Sequence, residues 1–431
     1  MNEFQAKDRA LYREKLSGLI DNDNLVFITG VRGSGKTCIG IRMEEALRGR
    51  EDVRVLRLNI ETIDAVRMTA AQLVEQFRER HVPGQRLITI LDEVIRIPDW
   101  ETAVNELFGC EDCKLILISS RRSVLSERVT AVQEGRFDVV NVLPLSLPEF
   151  LDYHGFEEQT PPEAPIPEKR YRYPDGRQFS LEEIFSFYLS YGGIPFMRPE
   201  FMDRERSRSV MDGCYSVIVT HDVLENIGRE GESAVTDAAL LRSIVTILGF
   251  GVGSHMSATR IGKKAAELLS RPASTKTVES YLRALTNANL IYAAERLDVR
   301  TNQKLKTLAK YYIVDTGLQH LLTGLRSEDP AKLLENKLFF ELLRRGYEIC
   351  SGKVGQEEIH LVAVSGNFRT YFQVTDALTP ENEKAVLQPL HRVRDSYPKI
   401  VLTLHGQSRT TSDGIMVINA LEYLMGKSWM L

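Results

Sequence analysis

The sequence predicts an α/β protein built on a parallel-sheet, P-loop nucleotide-binding core, and three stretches predict it. Leu25–Thr37, LVFITGVRGSGKT, sets an apolar run against a glycine-rich loop that closes on Gly-Lys-Thr. Arg86–Glu93, RLITILDE, is a second apolar run, ending in two carboxylates, and Lys114–Ser119, KLILIS, is a third. Short apolar runs separated by amphipathic stretches are the pattern of strands buried on both faces of a parallel sheet.

The elements follow in order. Leu25–Thr29 reads as a buried strand, and CIGIRMEEALRG from Cys38 reads as the helix that receives the loop. Glycines at 30, 33 and 35 let consecutive backbone N–H groups curl around a phosphate with no Cβ in the way. The helix N-terminus adds about half a positive charge behind them. Gly30, Arg32, Gly33, Ser34, Gly35, Lys36 and Thr37 are therefore the candidate nucleotide contacts, with Lys36 a point charge for the β- and γ-phosphates. Thr37 and Asp92 are the candidate Mg²⁺ ligands, and Glu93 the candidate general base or water-positioning group. Further strands are expected at Val53–Leu58, Leu87–Leu91, Lys114–Ser119 and Asp138–Val142, completing a core over residues 1–150. ATP and Mg²⁺ are the expected ligands.

Composition bounds the rest. A chain of 431 residues suggests two to four domains at roughly 100–200 residues each. A net charge of −4 excludes a globally basic protein. No apolar run reaches the ~18 residues of a membrane span, and MNEFQAKDRALYREKL has no apolar signal core. Five scattered cysteines, with Cys110 and Cys113 an isolated C-x-x-C, read as incidental thiols. A cytoplasmic protein with no membrane association is expected.

Residues 151–253 read as a proline-rich excursion, Gly155–Arg177, expected to be extended or mobile, followed by a helical lid. Residues 254–325 read as a winged helix-turn-helix: two amphipathic helices, then strands Tyr292–Leu297 and Lys310–Val314 around a polar TNQKLK turn. Between residues 254 and 311 eleven Lys/Arg stand against four acids, a surplus of seven in an otherwise acidic chain. That reversal points to DNA. Lys276 and Arg283 lie on the second helix, Ser274–Ala288, as the groove-facing pair, and Lys263 and Lys264 on the first as phosphate contacts. Docking of this face on protein is the competing expectation.

Residues 326–431 mix helix and strand in the skeleton of a restriction-endonuclease-like α/β domain. Glu335 falls on the helix, and Glu358 and His360 on one strand. Gln373 and Thr375 stand on the next strand where a metal-binding acid and a lysine are needed. The expectation is a retained fold with lost chemistry, available for a protein partner. The alternative is an ATP-gated, metal-dependent nuclease.

Eight stretches in order resemble one family: GVRGSGKT, ILDEVIRIPDWETAVNEL, LPLSLPEFLDY, YLSYGGIPF, HDVLEN, STKTVESYLRAL, YYIVDTGLQHLL and LLENKLFFELLRRGYEI. The chain resembles the prokaryotic AAA-type ATPases, near the signal-transducing ATPase lineage, that carry a C-terminal domain of degenerate nuclease-like fold. The resemblance covers nearly the whole chain. It implies an AAA-type core, a helical lid, a winged helix and a nuclease-like tail. It further implies that Arg136, of a Gly-Arg pair, meets the γ-phosphate in cis or from a neighbouring subunit of a homo-oligomer. Ser120 matches the serine of a strand-end Thr-Gly-Ser in which Ile118 and Ser119 here replace the other two. Arg32 matches the first arginine of a commoner Arg-Arg pair whose second is Gly33, and His360 stands where the family usually has Asp. The expected function is an ATP-binding, slowly ATP-hydrolysing switch that couples nucleotide state to DNA or protein contacts.

Overall fold

A computed structural model describes residues 8–62, 67–195, 204–224, 237–323 and 329–426. The parts of YLSYGGIPF and HDVLEN beyond residues 195 and 224 lie outside them. The chain divides into two compact units: Met1–Leu143 with Asn287–Asn289, and Pro144–Thr286 with Leu290–Leu431.

The first unit runs α1 (Ala10–Ile20), β1 (Leu25–Thr29), α2 (Lys36–Leu47), β2 (Val53–Asn59), α3 (Ala70–Arg80), β3 (Arg86–Asp92), α4 (Trp100–Phe108), β4 (Cys113–Ser119), α5 (Thr130–Gln133) and β5 (Phe137–Asn141). Its five strands form a sheet of order β2-β3-β4-β1-β5, every pairing parallel. The continuous apolar runs read in the sequence divide by parity. Leu25, Phe27, Leu87, Leu91, Leu115 and Leu117 join one core with α3 and α4. Val26, Ile28, Ile88, Ile90, Ile116 and Ile118 join the other with α1 and α2. Alternate side chains of a strand point to opposite faces, so a sheet covered on both sides demands apolar residues at every position. Lys114 interrupts this pattern. It is buried, and its Nζ donates to the carbonyls of Asn22 (3.0 Å) and Asn24 (2.5 Å) and to Asn22 Oδ1 (2.7 Å), tying down the turn before β1.

The second unit opens with α6 (Leu147–Tyr153), entered through a Ser146–Glu149 capping box. The proline-rich stretch is not an extended loop. It carries β6 (Glu157–Glu158), β7 (Arg170–Arg172) and β8 (Gln178–Ser180), a three-stranded antiparallel sheet. Phe156 packs against Tyr173 and Phe179, and that aromatic cluster supplies the small core the low apolar content did not suggest. Helices α7 (Leu181–Tyr191), α8 (Arg204–Val217) and α9 (Ala238–Phe250) follow.

Next come β9 (His255–Met256), α10 (Ala258–Leu269), α11 (Thr275–Asn287), β10 (Ile291–Asp298) and β11 (Gln303–Ile313). The second strand begins seven residues earlier than the sequence suggests, because Gln303–Leu305 pair with Arg296–Asp298 across a register shift. The chain closes with α12 (Thr316–Thr323), α13 (Pro330–Arg344), β12 (Glu348–Val354), β13 (Glu357–Ser365), β14 (Phe368–Ala377), α14 (Glu383–His391), β15 (Lys399–His405), β16 (Arg409–Thr410), β17 (Met416–Asn419) and α15 (Ala420–Leu424). β10 pairs parallel with β12, so one mixed nine-stranded sheet runs β16-β17-β15-β14-β13-β12-β10-β11-β9 across the boundary expected at residue 325. Asp315, fully enclosed, accepts N–H bonds from Gly193 (2.7 Å) and Gly317 (2.9 Å). Any Cβ at Gly192 would strike the Asp315 carboxylate, which is why a glycine pair ends α7.

Candidate nucleotide-binding site

The C-terminal edge of the parallel sheet gathers the loop after β1, the end of β3 and the end of β4, where open α/β sheets bind ligands. Gly33 and Gly35 adopt φ of 84° and 95°, the left-handed region that favours glycine. Gly30 has a second constraint, since a Cβ there would lie 2.2 Å from the Val142 carbonyl oxygen. The buried Lys36 ammonium donates to the carbonyls of Gly30 (2.8 Å) and Val31 (3.1 Å), which arches the loop over the start of α2. From outside, the buried Arg9 donates to the carbonyls of Ser34 and Leu143, both at 2.9 Å, and the Leu143 N–H donates to the Tyr12 hydroxyl at 2.9 Å. α1 thereby clamps the glycine-rich loop, a role for Arg9 and Tyr12 that no local pattern announced.

Asp92 and Glu93 end β3 in different states. Asp92 is buried, and its Oδ2 has no hydrogen-bond partner. Burial, then the neighbouring Glu93 charge, push its pKa up to about 6, against a hydrogen bond from Thr37 and the Lys36 charge. A buried carboxylate oxygen with no donor, next to a threonine hydroxyl and below a lysine, fits a hard divalent cation. Lys36, Thr37 and Asp92 are the residues that would hold Mg²⁺ with a triphosphate, where the ion would neutralise charge on the phosphate oxygens. Glu93 sits at φ 57° and is buried. Its Oε1 accepts the Ser120 N–H at 2.7 Å and its Oε2 the Ser119 hydroxyl at 3.3 Å.

Of the strand-end residues, Ser119 and Ser120 both meet Glu93. Ile118 is core, facing α1 and α2, so its side chain is not available to the site. Ser119 supplies the hydroxyl to Glu93. Ser120 supplies a backbone N–H to Glu93, its carbonyl to the Asn289 side-chain amide (2.9 Å), and its hydroxyl to Arg32 Nη2 (3.4 Å). Asn289, in the short segment belonging to this unit, is fully buried at φ 54°. It also donates to Thr29 Oγ1 (3.1 Å) and accepts from Arg122 Nε (2.8 Å).

Arg136 is a correction. It stands at the opposite edge of the sheet, its carbonyl accepting from Leu25 N at 3.0 Å just before β5. Its guanidinium bonds Glu134 (3.3 Å) and lies 4.9 Å from the Phe108 ring centre. The length of β1, roughly 13 Å at 3.3 Å per residue, separates it from the loop, which excludes a γ-phosphate contact within its own chain.

In the second unit, the residues singled out in the tail form an ionic cluster around a lysine from another strand. Lys310 of β11, fully buried, lies 3.0 Å from Glu335 and 2.6 Å from Glu358. Tyr312 OH donates to Glu335 at 2.7 Å, and His255 Nδ1 is 3.1 Å from Glu358. The expected lack of a lysine here is therefore wrong: the ammonium comes from the hairpin, not from β14, and stands between the two carboxylates. Gln373 spends its amide on the backbone of Glu358 and His360, and His360 Nδ1 accepts the Val374 N–H. Among the described residues no group of three or more His, Cys, Asp or Glu is arranged to hold a metal ion. The basic count of this region also shrinks, with Lys310 buried and Arg271 and Lys304 paired to Asp237 and Glu348. Arg260, Lys263, Lys264, Lys276 and Arg283 are exposed.

A parallel sheet of this order, a glycine-rich loop between β1 and α2 and an Asp-Glu pair closing β3 are the features of a P-loop type of α/β domain. Residues 22–151 match the family model described as AAA domain, and residues 182–329 match a domain of unknown function. The chain is 29% identical to an uncharacterised protein of Haemophilus influenzae over 421 residues, 97% of this chain and 98% of that one. It is 22% identical to an uncharacterised protein of Methanocaldococcus jannaschii over 348 residues, 80% of this chain and 72% of that one. Among solved structures it is similar to the Aeropyrum pernix ORC1 protein in complex with DNA, at 14% identity and a TM-score of 0.31 over 74% of this chain and 94% of that one. It is also similar to PCH-2 of C. elegans, at 13% identity and a TM-score of 0.25 over 64% and 65% of the two chains. No helix among the described residues is long and apolar enough to cross a membrane.

Proposed function

We propose that the protein is an ATP-binding, slowly ATP-hydrolysing switch. The observation that carries this reading is the Asp92 carboxylate, held buried with an unpartnered oxygen beside Thr37 and Lys36. Lys36 exchanges its two loop carbonyls for phosphate oxygens, an ion pair in place of bonds to neutral acceptors. Glu93, tied to Ser119 and Ser120, must release them to accept a proton from water, so hydrolysis waits on movement of the β4 end. Slow turnover follows. Asn289 bonds the same Ser120, which links the hydrolytic glutamate to the chain that leaves α11.

The output of the switch, in this reading, is DNA contact through the exposed Lys263, Lys264, Lys276 and Arg283. The order helix, turn, helix, hairpin supports a winged helix. The competing nuclease reading is disfavoured by Lys310, which fills the space between Glu335 and Glu358 with an ammonium. Arg136 retains only the role of reaching a neighbouring subunit.

Equilibrium binding of fluorescent ATP and phosphate release are measured on the full chain with Mg²⁺. Lys36→Ala is expected to abolish binding, and Glu93→Gln to bind and not turn over. Equal binding by wild type and Lys36→Ala would refute the assignment.

A further inference from the structure

Glu61 and Arg96 have no part in the sequence reading, yet they meet the phosphate loop. Glu61 follows β2, whose end is held to β3 by the bond from Ile60 N to the Asp92 carbonyl at 2.9 Å. Arg96 lies three residues beyond Glu93, in the 3₁₀ turn Val94–Arg96, with its N–H on the Glu93 carbonyl at 3.1 Å. Arg32 belongs to the loop itself. Arg32 Nη1 at 2.9 Å and Arg96 Nη2 at 2.8 Å converge on one oxygen, Glu61 Oε1. The other arm of Arg32 reaches the hydroxyl of Ser120, the residue whose N–H holds Glu93.

Two guanidiniums aimed at a single oxygen form an anion site, filled here by a side chain. Burial works against the Glu61 carboxylate, yet Arg32 and Arg96 together hold it below the ordinary carboxylate range. Its charge in turn is the smallest of the forces raising Asp92, so the Glu61 carboxylate is felt at the candidate metal site. Glu61 is about a third exposed, at 34% of its side chain, against 20% and 25% for Arg32 and Arg96. The carboxylate can therefore swing into water while the two arginines stay in place.

We propose that Glu61 is an internal stand-in for the terminal phosphate of a nucleoside triphosphate, and that Arg96 and Arg32 pass from its carboxylate to that phosphate. This rests on the reading of the loop as a triphosphate site. The terminal phosphate carries more charge than a carboxylate and presents three oxygens, so it wins the guanidiniums that one carboxylate oxygen shares. A diphosphate ends short of them and leaves Glu61 in place. The cluster thus makes the site distinguish triphosphate from diphosphate and frees Glu61, at the end of β2, only in the triphosphate state.

The test is equilibrium binding of ATPγS and of ADP, both with Mg²⁺, to the full chain and to Arg96→Ala, Arg32→Ala and Glu61→Gln. Losing a charged hydrogen bond costs on the order of tenfold or more in affinity. Arg96→Ala is expected to weaken ATPγS by about that factor and leave ADP within about twofold, and Arg32→Ala to weaken ATPγS more than ADP. Glu61→Gln, which is isosteric, is expected to tighten ATPγS several-fold over ADP. Should Arg96→Ala misfold, the Glu61→Gln ratio decides alone. Equal changes for both nucleotides in every variant, with wild type binding intact, would overturn the inference and spare the site. A wild type that binds neither nucleotide would overturn the site and the inference together.

Discussion

Asp92→Asn removes a charge that the folded protein holds at a cost. The carboxylate is buried, with one oxygen lacking a donor, and its pKa is pushed to about 6 from an ordinary 3.8. That gap corresponds to roughly 3 kcal/mol against the ionised form in the folded state. The sign follows from proton counting. Between about pH 4 and 6 the folded chain holds more protons than the unfolded one, so stability falls as pH rises through that window and stays low above it. The amide substitution has the same shape and no charge. It is therefore expected to leave stability unchanged near pH 4 and to raise it progressively to about pH 7. The plateau is roughly 3 kcal/mol, or about 6–12 °C in the melting of the first unit. Scanning calorimetry of wild type and Asp92→Asn across that pH range, without nucleotide, measures it. Mg²⁺ with ATPγS should then stabilise wild type above pH 6 and give Asp92→Asn little. An amide variant that melts lower than wild type at pH 7, or gains as much from Mg²⁺ with nucleotide, would refute both the charge argument and the metal assignment.

Three further outcomes are expected. Lys276→Ala with Arg283→Ala should weaken duplex DNA binding and flatten its log–log salt dependence by about 0.9 per lost phosphate contact, with ATP binding intact; unchanged retention in a gel-shift assay would sink the DNA reading. Lys310→Met should destabilise the second unit by about 3–5 kcal/mol, because it leaves the buried Glu335 without its cation and the half-buried Glu358 with His255 alone. Wild type should show no nicking of plasmid in Mg²⁺ or Mn²⁺. Nicking lost on Glu335→Ala would restore the nuclease alternative.

The sequence by itself determined whatever is written in consecutive residues. The run Leu25–Thr37 specifies strand, loop and helix because a phosphate cradle is built from adjacent backbone groups. Asp92 and Glu93 are legible because two carboxylates directly close an apolar strand run. The five strands of the first unit appear within a residue or two of their expected limits, since a doubly covered sheet makes its central strands nearly unbroken apolar runs. Tertiary structure alone decided which distant residues share one point. Glu61 lies 29 residues from Arg32 and 35 from Arg96, and Asn289 lies 169 from Ser120. No helical or strand period relates residues at such distances, so their charges read as solvated surface. Arg136 was misplaced for the same reason: its spacing along the chain says nothing about which edge of a parallel sheet it occupies. Lys310 looked like one more basic residue of a DNA-binding face. Only the pairing of β10 with β12, which joins the hairpin to the C-terminal strands in one sheet, carries it into the core beside two carboxylates, where burial without them would be too costly for its charge.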